Sequence, residues 1–516
     1  MAISPLEDIK ARINPYAERD AAFARLARGT VAAITPEDDV VLRWHGLYRH
    51  RPAEEGVFML RIKLPNGEIT AAQLGAVAAI ARDRGAAYVN LTTRQDLQVY
   101  GLALAALPAA FAALDAAGLT SRGACGDAVR NVIGCPAAGL APGETLDTLP
   151  VARALTAAFL GNPAFANLPR KFKIAVSADG CVPARINDVA LIVAPDAAGA
   201  PGFALFVGGG LSVAPAYAEP LGWVAPEEAL AVVTRLVELF HAHGNRENRH
   251  QARVKHLLAA RGLPWLKAEV EARLGRALPP APPLPPVAHG DHLGVHPQRE
   301  AGLSYLGVPV PAGRLHREQL AALAALAPGR LRLTHHQNLL LADVPNACLD
   351  AVRAALAALD LPVEADSWSG RLVACPGKAV CMKALVQTKD HAAALLAELA
   401  DLPAAGISLH ISGCPNGCGQ HAIADIGLQG TLAEGAERFD LWTGGGDGRA
   451  FARRTLARLR PEEVAPAVRA LVTRYRAARK RGESFSAFAR RVLWQESEKP
   501  TFRAMLDALA AHPMYL

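Results

Sequence analysis

Apolar and polar residues alternate along this chain with two periods, that of a strand and that of a helix. Residues 58–65, FMLRIKLP, are β-like, and the Asn66-Gly67 pair that follows is typical of a turn. Residues 70–85 have the apolar spacing of a helix, and residues 87–102 are β-like again. The pattern therefore predicts a strand, a turn, a helix and further β structure, in this order.

The same order recurs beyond a proline-rich stretch, residues 277–288, which we expect to be an extended linker. Residues 64–67, LPNG, match residues 310–313, VPAG. LTTRQDL at 91–97 likewise matches LTHHQNL at 333–339. Two copies of one unit predict a mixed α+β fold with a duplicated architecture, in which two halves pack about a pseudo-two-fold axis.

The two copies differ in charge. Arg61 aligns with Gly307, and Arg94 aligns with His336. One interpretation is that the first half faces an anionic ligand while the second half keeps only the scaffold. The alternative is that these arginines only solvate a surface.

Composition narrows the classes of function. The 516 residues are too many for one compact core, and the net charge of +7 suits an anionic substrate or an acidic protein partner. Basic runs with interleaved aromatic residues are missing, so nucleic acid is not expected. The first twenty residues do not resemble a secretory signal, and Pro108 and Asp115 interrupt the Ala-rich residues 102–119. We therefore expect a cytoplasmic protein with a buried helix, not a membrane span, at 102–119.

Four of the eight cysteines form two close pairs, Cys375 with Cys381 and Cys414 with Cys418. Four reduced thiolates in two segments indicate a metal site. An iron–sulfur cluster tolerates the wide first pair better than a structural zinc ion does, and zinc remains the alternative. Pro376 is predicted to begin a helix whose positive end faces the cluster. Residues 415–417 are predicted to form a tight turn, and the other cysteines are expected to be buried.

Basic and glycine-rich segments add candidate residues. Lys171 and Lys173 alternate with Phe172, so both are predicted to project from one face of a strand, either toward a ligand or as a solvated edge. The glycines of residues 208–210 follow an apolar strand and either let the backbone approach a flat ligand or simply end the strand. A nucleotide-binding motif is not evident. The electrons that an iron–sulfur cluster would carry are therefore expected to come from another protein.

Together these segments resemble the siroheme-containing sulfite and nitrite reductases over nearly the whole chain. The matching motifs are FMLRIKLPNG, LTTRQDLQ, RNVIG, LPRKFK, INDVA, VGGGLS, ACPGKAVC and SGCPNGCG. The resemblance implies ferredoxin-like half-domains plus two larger mixed α/β domains that bind siroheme and the cluster. The implied division is an N-terminal helical segment at 1–44, half-domains at 45–118 and 289–358, the linker at 277–288, a first siroheme and substrate domain at 119–276 and a cluster domain at 359–516.

The resemblance also implies roles for individual residues. Arg61, Arg130, Lys171 and Lys173 would hold the substrate anion and deliver protons. Arg94, Gln98 and the backbone of Gly208, Gly209 and Gly210 would help to seat siroheme. Cys375, Cys381, Cys414 and Cys418 would bind a [4Fe–4S] cluster, and Cys418 would also bridge to the siroheme iron. Tyr48 and Cys125 are the candidates for a covalent pair found in some members.

The implied activity is the six-electron reduction of sulfite to sulfide, with nitrite reduction to ammonia as the alternative. Lys173 favours sulfite, because nitrite reductases tend to have Asn there, whereas residues 292–308 resemble the nitrite enzymes. The expected donor is an acidic ferredoxin or a flavoprotein subunit, and a monomer is expected. Two further hypotheses are a precorrin-3B synthase-like oxygenase, which the intact set of four basic residues disfavours, and a zinc-stapled binding protein without redox chemistry.

Overall fold

The computed structural model describes residues 5–84, 87–178, 180–212, 214–284, 290–327, 329–498 and 504. The strands of these residues are β1 Leu47–Arg49, β2 Phe58–Ile62, β3 Glu68–Thr70, β4 Tyr88–Leu91, β5 Leu97–Leu102, β6 Ile133–Gly134, β7 Ile174–Ser177, β8 Val189–Val193, β9 Phe203–Val207, β10 Glu219–Val224, β11 Gly294–Pro297, β12 Leu303–Val308, β13 Arg314–His316, β14 Arg330–Leu333, β15 Leu339–Pro345, β16 Leu372–Ala374, β17 Leu409–Ser412, β18 Ile426–Ala433, β19 Ala436–Thr443 and β20 Arg453–Leu459.

The described residues also form α-helices, which are numbered in chain order. They are α1 Pro5–Arg12, α2 Arg19–Leu26, α3 Pro36–Trp44, α4 Ala71–Arg84, α5 Leu107–Ala116, α6 Leu149–Phe159, α7 Ala229–His243, α8 Val254–Arg261, α9 Leu263–Leu274, α10 Arg317–Leu326, α11 Leu349–Ala357, α12 Trp368–Arg371, α13 Lys389–Glu398, α14 Pro461–Ala478, α15 Phe485–Phe488 and α16 Trp494–Glu496. In the described part of the chain, none of them combines the length and the apolar composition that a bilayer crossing requires.

Two of the four sheets belong to the repeated unit, and the two copies exchange a strand. Their strand orders are β1-β2-β5-β4-β13 and β11-β12-β15-β14-β3. Strand β3 of the first copy pairs with β14, and β13 of the second copy pairs with β4. Buried apolar residues of both copies form one continuous core. The two copies therefore form a single structural body about the pseudo-two-fold axis.

The other two sheets are also related by the duplication. Their orders are β10-β9-β8-β7-β6 and β16-β17-β18-β19-β20. In each sheet the first three strands along the chain are parallel and the last two are added antiparallel. Mixed sheets of this kind, repeated twice with their half-domains, confirm the predicted duplicated α+β architecture.

Two equivalent glutamines attach the half-domains to these larger sheets. Gln95 exchanges two hydrogen bonds with the backbone of Gly134, of 3.0 and 2.9 Å, at the end of β6. Gln337 makes the same exchange with Ala374, of 3.1 and 2.9 Å, at the end of β16. Both glutamines have positive φ, 56° and 65°. A non-glycine residue in this region is held there by its surroundings, and here the paired hydrogen bonds supply that restraint.

Several predicted elements are confirmed. The first β-like run contains β2, the helical run contains α4, and residues 87–102 divide into β4 and β5. The Ala-rich residues 102–119 contain α5, whose Leu107, Phe111 and Leu114 are buried. The predicted linker is described only as far as residue 284, and its residues 285–288 lie outside the described ranges. The predicted domain limits stay a prediction.

Candidate active site

The two cysteine pairs meet because β16 and β17 are parallel neighbours. Ala374 pairs with Ile411, so the chain leaves both strands at the same edge of the sheet. Cys375 follows β16 directly, and Cys414 lies two residues beyond β17. The Gly413 N–H donates a hydrogen bond of 3.1 Å to the Cys375 sulfur. The order of the strands thus brings together thiols that lie about forty residues apart in sequence.

Cys381 and Cys418 lie close enough to Cys375 and Cys414 to act on their charges. Burial, and next the proximity of Cys418, raises the pKa of Cys375 to about 12, and Cys381 acts in the same direction. The pKa of Cys414 is raised by burial, with Cys418 and Cys381 adding to it. Cys375 is buried, Cys381 and Cys414 are half-buried, and Cys418 is exposed. Thiolates close to one another repel, and a metal cluster would supply the compensating positive charge.

The helix predicted to begin at Pro376 is not found there. Residues 376–388 form turns, and α13 begins only at Lys389. Gly377 has φ +71°, and a side chain on it would meet the Thr388 hydroxyl at 2.3 Å. Helix formation is prevented by this left-handed residue. The cluster loop therefore presents turn backbone, not a helix end, to the thiols.

The second cysteine loop touches the first half of the molecule. Residues 415–416 form the predicted tight turn, and Gly417 has φ +66°. The Thr93 hydroxyl donates a hydrogen bond of 3.3 Å to the backbone oxygen of Cys418. A side chain at Gly417 would lie 3.6 Å from the Ser212 backbone nitrogen, just beyond the three glycines. Cys418 therefore lies where the LTTRQDL loop, the glycine loop and the cluster loop come together.

Lys171 and Lys173 lie on the same side of the site as Cys418. Burial, and then the nearby Arg253 and Arg130, lower the pKa of Lys171 to about 7, while Cys418 opposes this shift. The pKa of Lys173 is lowered strongly by burial and then by Arg94 and Arg253, again against Cys418. Such a set of cations is stable only with anions among them, because each charge repels the next in a place with little water.

The predicted strand around these lysines is shorter than expected. Phe172 makes a single bridge to Val129, and the regular strand β7 begins at Ile174. Phe172 is buried while both lysines are half-buried, so the alternation of sides holds. The lysines point away from the core toward the site, and they do not form a solvated sheet edge.

Arg61 and Arg130 are linked through one carbonyl group. Both donate to the backbone oxygen of Ala124, Arg61 at 3.4 Å and Arg130 at 2.9 Å. The Nε atoms of both guanidinium groups are buried and have no hydrogen-bond partner among the described residues. Buried donors of this kind normally have a partner, so they indicate an anionic ligand.

Two of the residues predicted to bind siroheme, Arg94 and Gln98, lie in different surroundings. Arg94 donates to the Asn187 side chain at 2.8 Å and to the Ile174 backbone oxygen at 3.3 Å, and its buried Nε has no partner among the described residues. It shares the pocket of Lys173. Gln98 instead accepts a hydrogen bond of 3.1 Å from the Tyr100 hydroxyl, in a buried layer beside the first cysteine loop.

The glycine loop allows a close approach of backbone to backbone. A side chain at Gly209 would lie 2.1 Å from the Arg185 backbone oxygen, and Gly208 has φ +88°. At Gly210 the nearest atom would be 3.6 Å away, the Arg253 guanidinium nitrogen. Gly209 is therefore required by packing, whereas Gly210 has room for a side chain, and its backbone N–H and C=O both hydrogen-bond to Ala216 at 2.9 Å.

The remaining cysteines were expected to be buried, and three of them are. Cys125, Cys135 and Cys181 are buried, whereas Cys348 is exposed, so the prediction is wrong for Cys348. Cys125 lies in an apolar cluster against which Tyr48 packs. Their covalent linkage stays a prediction.

The sequence reasoning missed two acidic residues that lie among the cations. Asp188 has a fully buried side chain and accepts two hydrogen bonds from Arg253, of 2.9 and 2.7 Å. Asp188 also accepts a hydrogen bond of 2.7 Å from the Lys173 backbone N–H. Asp96 lies among the cations, where burial raises its pKa to about 6 although Arg61 opposes this. The acidic residues in the INDVA and TTRQD motifs were the available signals.

Comparison with known proteins agrees with this arrangement. The family described as "Nitrite and sulphite reductase 4Fe-4S domain" matches residues 125–278 and 369–496. The family described as "Nitrite/Sulfite reductase ferredoxin-like half domain" matches residues 50–117 and 296–359. A duplicated fold with these four segments is typical of a class of oxidoreductases. Its members contain an iron–sulfur domain and ferredoxin-like half-domains.

Individual relatives cover most of the chain. The chloroplastic ferredoxin–nitrite reductase of Zea mays is 37% identical over 477 residues, which are 86% of this chain and 84% of the relative. "Sulfite reductase [ferredoxin] 2" of Mycolicibacterium paratuberculosis is 32% identical over 95% of both chains. The structure of the Mycobacterium tuberculosis NirA protein matches with a TM-score of 0.89 and 31% identity, covering 95% of this chain and 97% of that one. This chain belongs to the nitrite and sulfite reductase family.

Members of this family carry siroheme and a [4Fe–4S] cluster, and the residues present fit both groups. Cys375, Cys381, Cys414 and Cys418 would be the four thiolate ligands that a cubane cluster needs. The buried Arg94 guanidinium, whose Nε has no partner among the described residues, would supply positive charge for the carboxylates of siroheme. A zinc-stapled protein without redox chemistry does not agree with the family match.

Proposed function

We propose that this enzyme reduces sulfite to sulfide with six electrons, and that Cys375, Cys381, Cys414 and Cys418 hold the cluster. Siroheme and the cluster supply the redox chemistry when they are bound, and the electrons come from an external donor. Arg61, Arg130, Lys171 and Lys173 hold the anion and deliver protons. The observation that carries the choice of sulfite is Lys173, a further basic residue close to Lys171 and Cys418.

Charge balance explains why Lys173 favours sulfite. Deprotonated sulfite carries two negative charges and nitrite carries one. The lowered pKa values of Lys171 and Lys173 mean that part of their charge is lost when no anion is near, because burial and neighbouring cations disfavour the ammonium form. An anion reverses this preference, so the lysines take up protons as the substrate binds. Sulfite, with two negative charges, therefore gains more binding free energy from this proton uptake than nitrite does.

The same lysines then act in the reaction. Each of the three oxygens of sulfite leaves as water, and each departure needs protons and stabilisation of negative charge. Lys171 and Lys173 hold protons close to the place where that charge develops, and Arg61 and Arg130 stabilise it without giving up a proton. One fixed donor of this kind contributes about 2.7–4 kcal/mol to lowering a barrier.

The proposed electron donor is an acidic ferredoxin. The names of the relatives from Zea mays and Mycolicibacterium paratuberculosis include ferredoxin, and the net charge of +7 suits an acidic partner. Attraction between opposite charges speeds association and is screened by salt. The rate of sulfite reduction by reduced ferredoxin should therefore fall as ionic strength rises, and a rate that does not change with salt would contradict this donor.

Nitrite reduction is a second candidate, and a specific observation favours it. Several relatives at 36–37% identity are named ferredoxin–nitrite reductases, from Zea mays, Synechococcus elongatus and Oryza sativa. Residues 292–308 also resemble the nitrite enzymes. These similarities extend over the scaffold, whereas Lys173 lies at the site itself, so we give Lys173 the greater weight.

The test compares kcat/KM for sulfite and nitrite with reduced methyl viologen. The Lys173→Asn variant should lose about 10²–10³ in kcat/KM for sulfite and less than about tenfold for nitrite. Lys267→Asn is the matched control, because Lys267 pairs with Glu271 on the surface of α9, at 3.8 Å, and kcat/KM for both substrates should remain unchanged. The activity of each variant is divided by its siroheme absorbance per chain, so that differences in cofactor content do not affect the comparison. A wild-type preference for nitrite, or equal losses with both substrates in Lys173→Asn, would overturn the proposal.

A further inference from the structure

Three metal-ligating side chains converge outside the four-cysteine site. Ligand atoms of Cys135, Cys181 and His292 all lie within 4.8 Å of one another, and the Cys135 sulfur is 3.4 Å from His292 Nε2. Both cysteines are buried, and His292 is half-buried. The three residues come from distant parts of the sequence, so the fold, not local chain geometry, brings them together.

The duplicated architecture explains why two thiols meet at this place. Cys135 follows β6 and is followed by Pro136, as Cys375 follows β16 and is followed by Pro376. Cys181 lies in the loop after β7, which corresponds to the loop after β17 that holds Cys414. Strands β6 and β7 are parallel neighbours, as β16 and β17 are. Cys135 and Cys181 therefore occupy the pseudo-symmetric counterpart of the cluster loops.

The third ligand comes from the other half of the chain and is oriented for coordination. His292 Nδ1 lies 3.2 Å from the buried Tyr305 hydroxyl, which leaves Nε2 directed at the thiols. Metal-binding histidines typically fix their second ring nitrogen in this way. His292 has φ +56°, a conformation that non-glycine residues rarely adopt. The ring of His296 stacks on Tyr305 with centroids 4.9 Å apart.

We propose that Cys135, Cys181 and His292 bind a Zn²⁺ ion that joins the two halves of the molecule. Two thiolates and an imidazole are soft to borderline ligands, which suit zinc and do not suit the oxygen-seeking Mg²⁺ or Ca²⁺. Two thiolates also neutralise the charge of the ion, and the surrounding cluster is apolar, with Leu340 and Ala342 among its members. A solvent molecule would complete the four ligands that Zn²⁺ takes.

The position of this site indicates a structural role. Cys135 and Cys181 belong to the first half, whereas His292 and Tyr305 follow the proline-rich linker. The segment after Cys135 is already held by the second half, since Arg332 donates to the Pro136 backbone oxygen at 2.8 Å. A bound ion would add a direct bond between the halves. This proposal does not depend on which anion the enzyme reduces.

The test measures zinc in the holoenzyme. Protein loaded with ZnSO₄ and desalted in a weak chelator should retain about one zinc per chain, besides its iron, by mass spectrometry of the elements. Absorption at the zinc K-edge should show two sulfur ligands and one imidazole, without interference from iron. The Cys135→Ser/Cys181→Ser double variant should lose this zinc. His292→Asn should weaken it, because asparagine tolerates the positive φ but is a poor zinc ligand.

Two matched variants serve as controls. Cys348→Ser changes an exposed cysteine, and His296→Ala changes a neighbouring histidine outside the ligand set; both should keep the zinc. Absence of bound zinc in the wild-type protein, or zinc retained by the double variant, would overturn the proposal. A disulfide between Cys135 and Cys181 in peptides from protein purified without reductant would overturn it as well.

Discussion

Asp188 is the residue whose replacement tests the electrostatic design of the pocket most directly. Its side chain is fully buried, and Arg253, 12% exposed, donates two hydrogen bonds to it. The Lys173 N–H adds a third, and the Asp188 backbone oxygen accepts from Gly208 at 2.9 Å. The Asp188 carboxylate thus holds Arg253 and the lysine segment, and the Asp188 backbone holds the start of the glycine loop.

The Asp188→Asn variant removes one charge and keeps the shape. The Lys173 N–H can still find an oxygen acceptor, but Arg253 loses its counter-charge while it remains close to Lys171 and Lys173. Breaking a buried ion pair by removing one partner costs about 3–5 kcal/mol, because the other charge stays buried without compensation. We expect a loss of free energy of unfolding in this range.

A matched ion pair at the surface provides the control. Arg330 and Asp343 also form a two-pronged pair, of 2.7 and 2.6 Å, but their side chains are 47% and 24% exposed. The Asp343→Asn variant should lower the free energy of unfolding by at most about 1 kcal/mol, because water can solvate the exposed Arg330 guanidinium in place of the carboxylate. Urea unfolding followed by tryptophan fluorescence compares the two variants. Equal shifts of the urea midpoint would refute the reasoning that burial sets the cost.

Two further predictions concern the glycine loop and the response to acid. Gly209→Ala should lower siroheme absorbance per chain, because its side chain would overlap the Arg185 backbone oxygen, whereas Gly210→Ala should bind siroheme normally; equal siroheme content in both would contradict the packing argument. Burial lowers the pKa of His45 to about 4, so the unfolded chain binds a proton that the folded protein does not bind between about pH 6.5 and 4. The stability contributed by neutral His45 is therefore complete above pH 6.5 and is lost as the pH falls toward 4, by at most about 1.4 kcal/mol per pH unit. A His45→Gln variant, which can still donate to Pro15, should show a flatter loss of stability with pH in thermal unfolding, and parallel profiles would contradict this assignment.

Local patterns predicted the parts of the molecule that depend on neighbours in sequence. The strand at residues 58–65, helix α4 and the turn at residues 415–416 follow from periodicity and from turn residues. The helix expected at Pro376 failed for a reason that a local pattern does not contain. Gly377 is left-handed there because its backbone packs against Thr388, a contact that only the folded loop creates.

The sequence by itself determined the duplication, the two cysteine pairs and the cations of the first half, because residue types and their spacing are enough to recognise each of them. The tertiary structure decided which of them meet. The parallel pairing of β16 with β17 joins the two cysteine pairs, and the exchange of β3 and β13 locks the halves together. Pairing order depends on packing between segments far apart in the chain, and hydrophobic periodicity records only which face of each segment is buried. For the same reason the thiols of Cys135 and Cys181 could be recognised as neighbours only in the folded molecule.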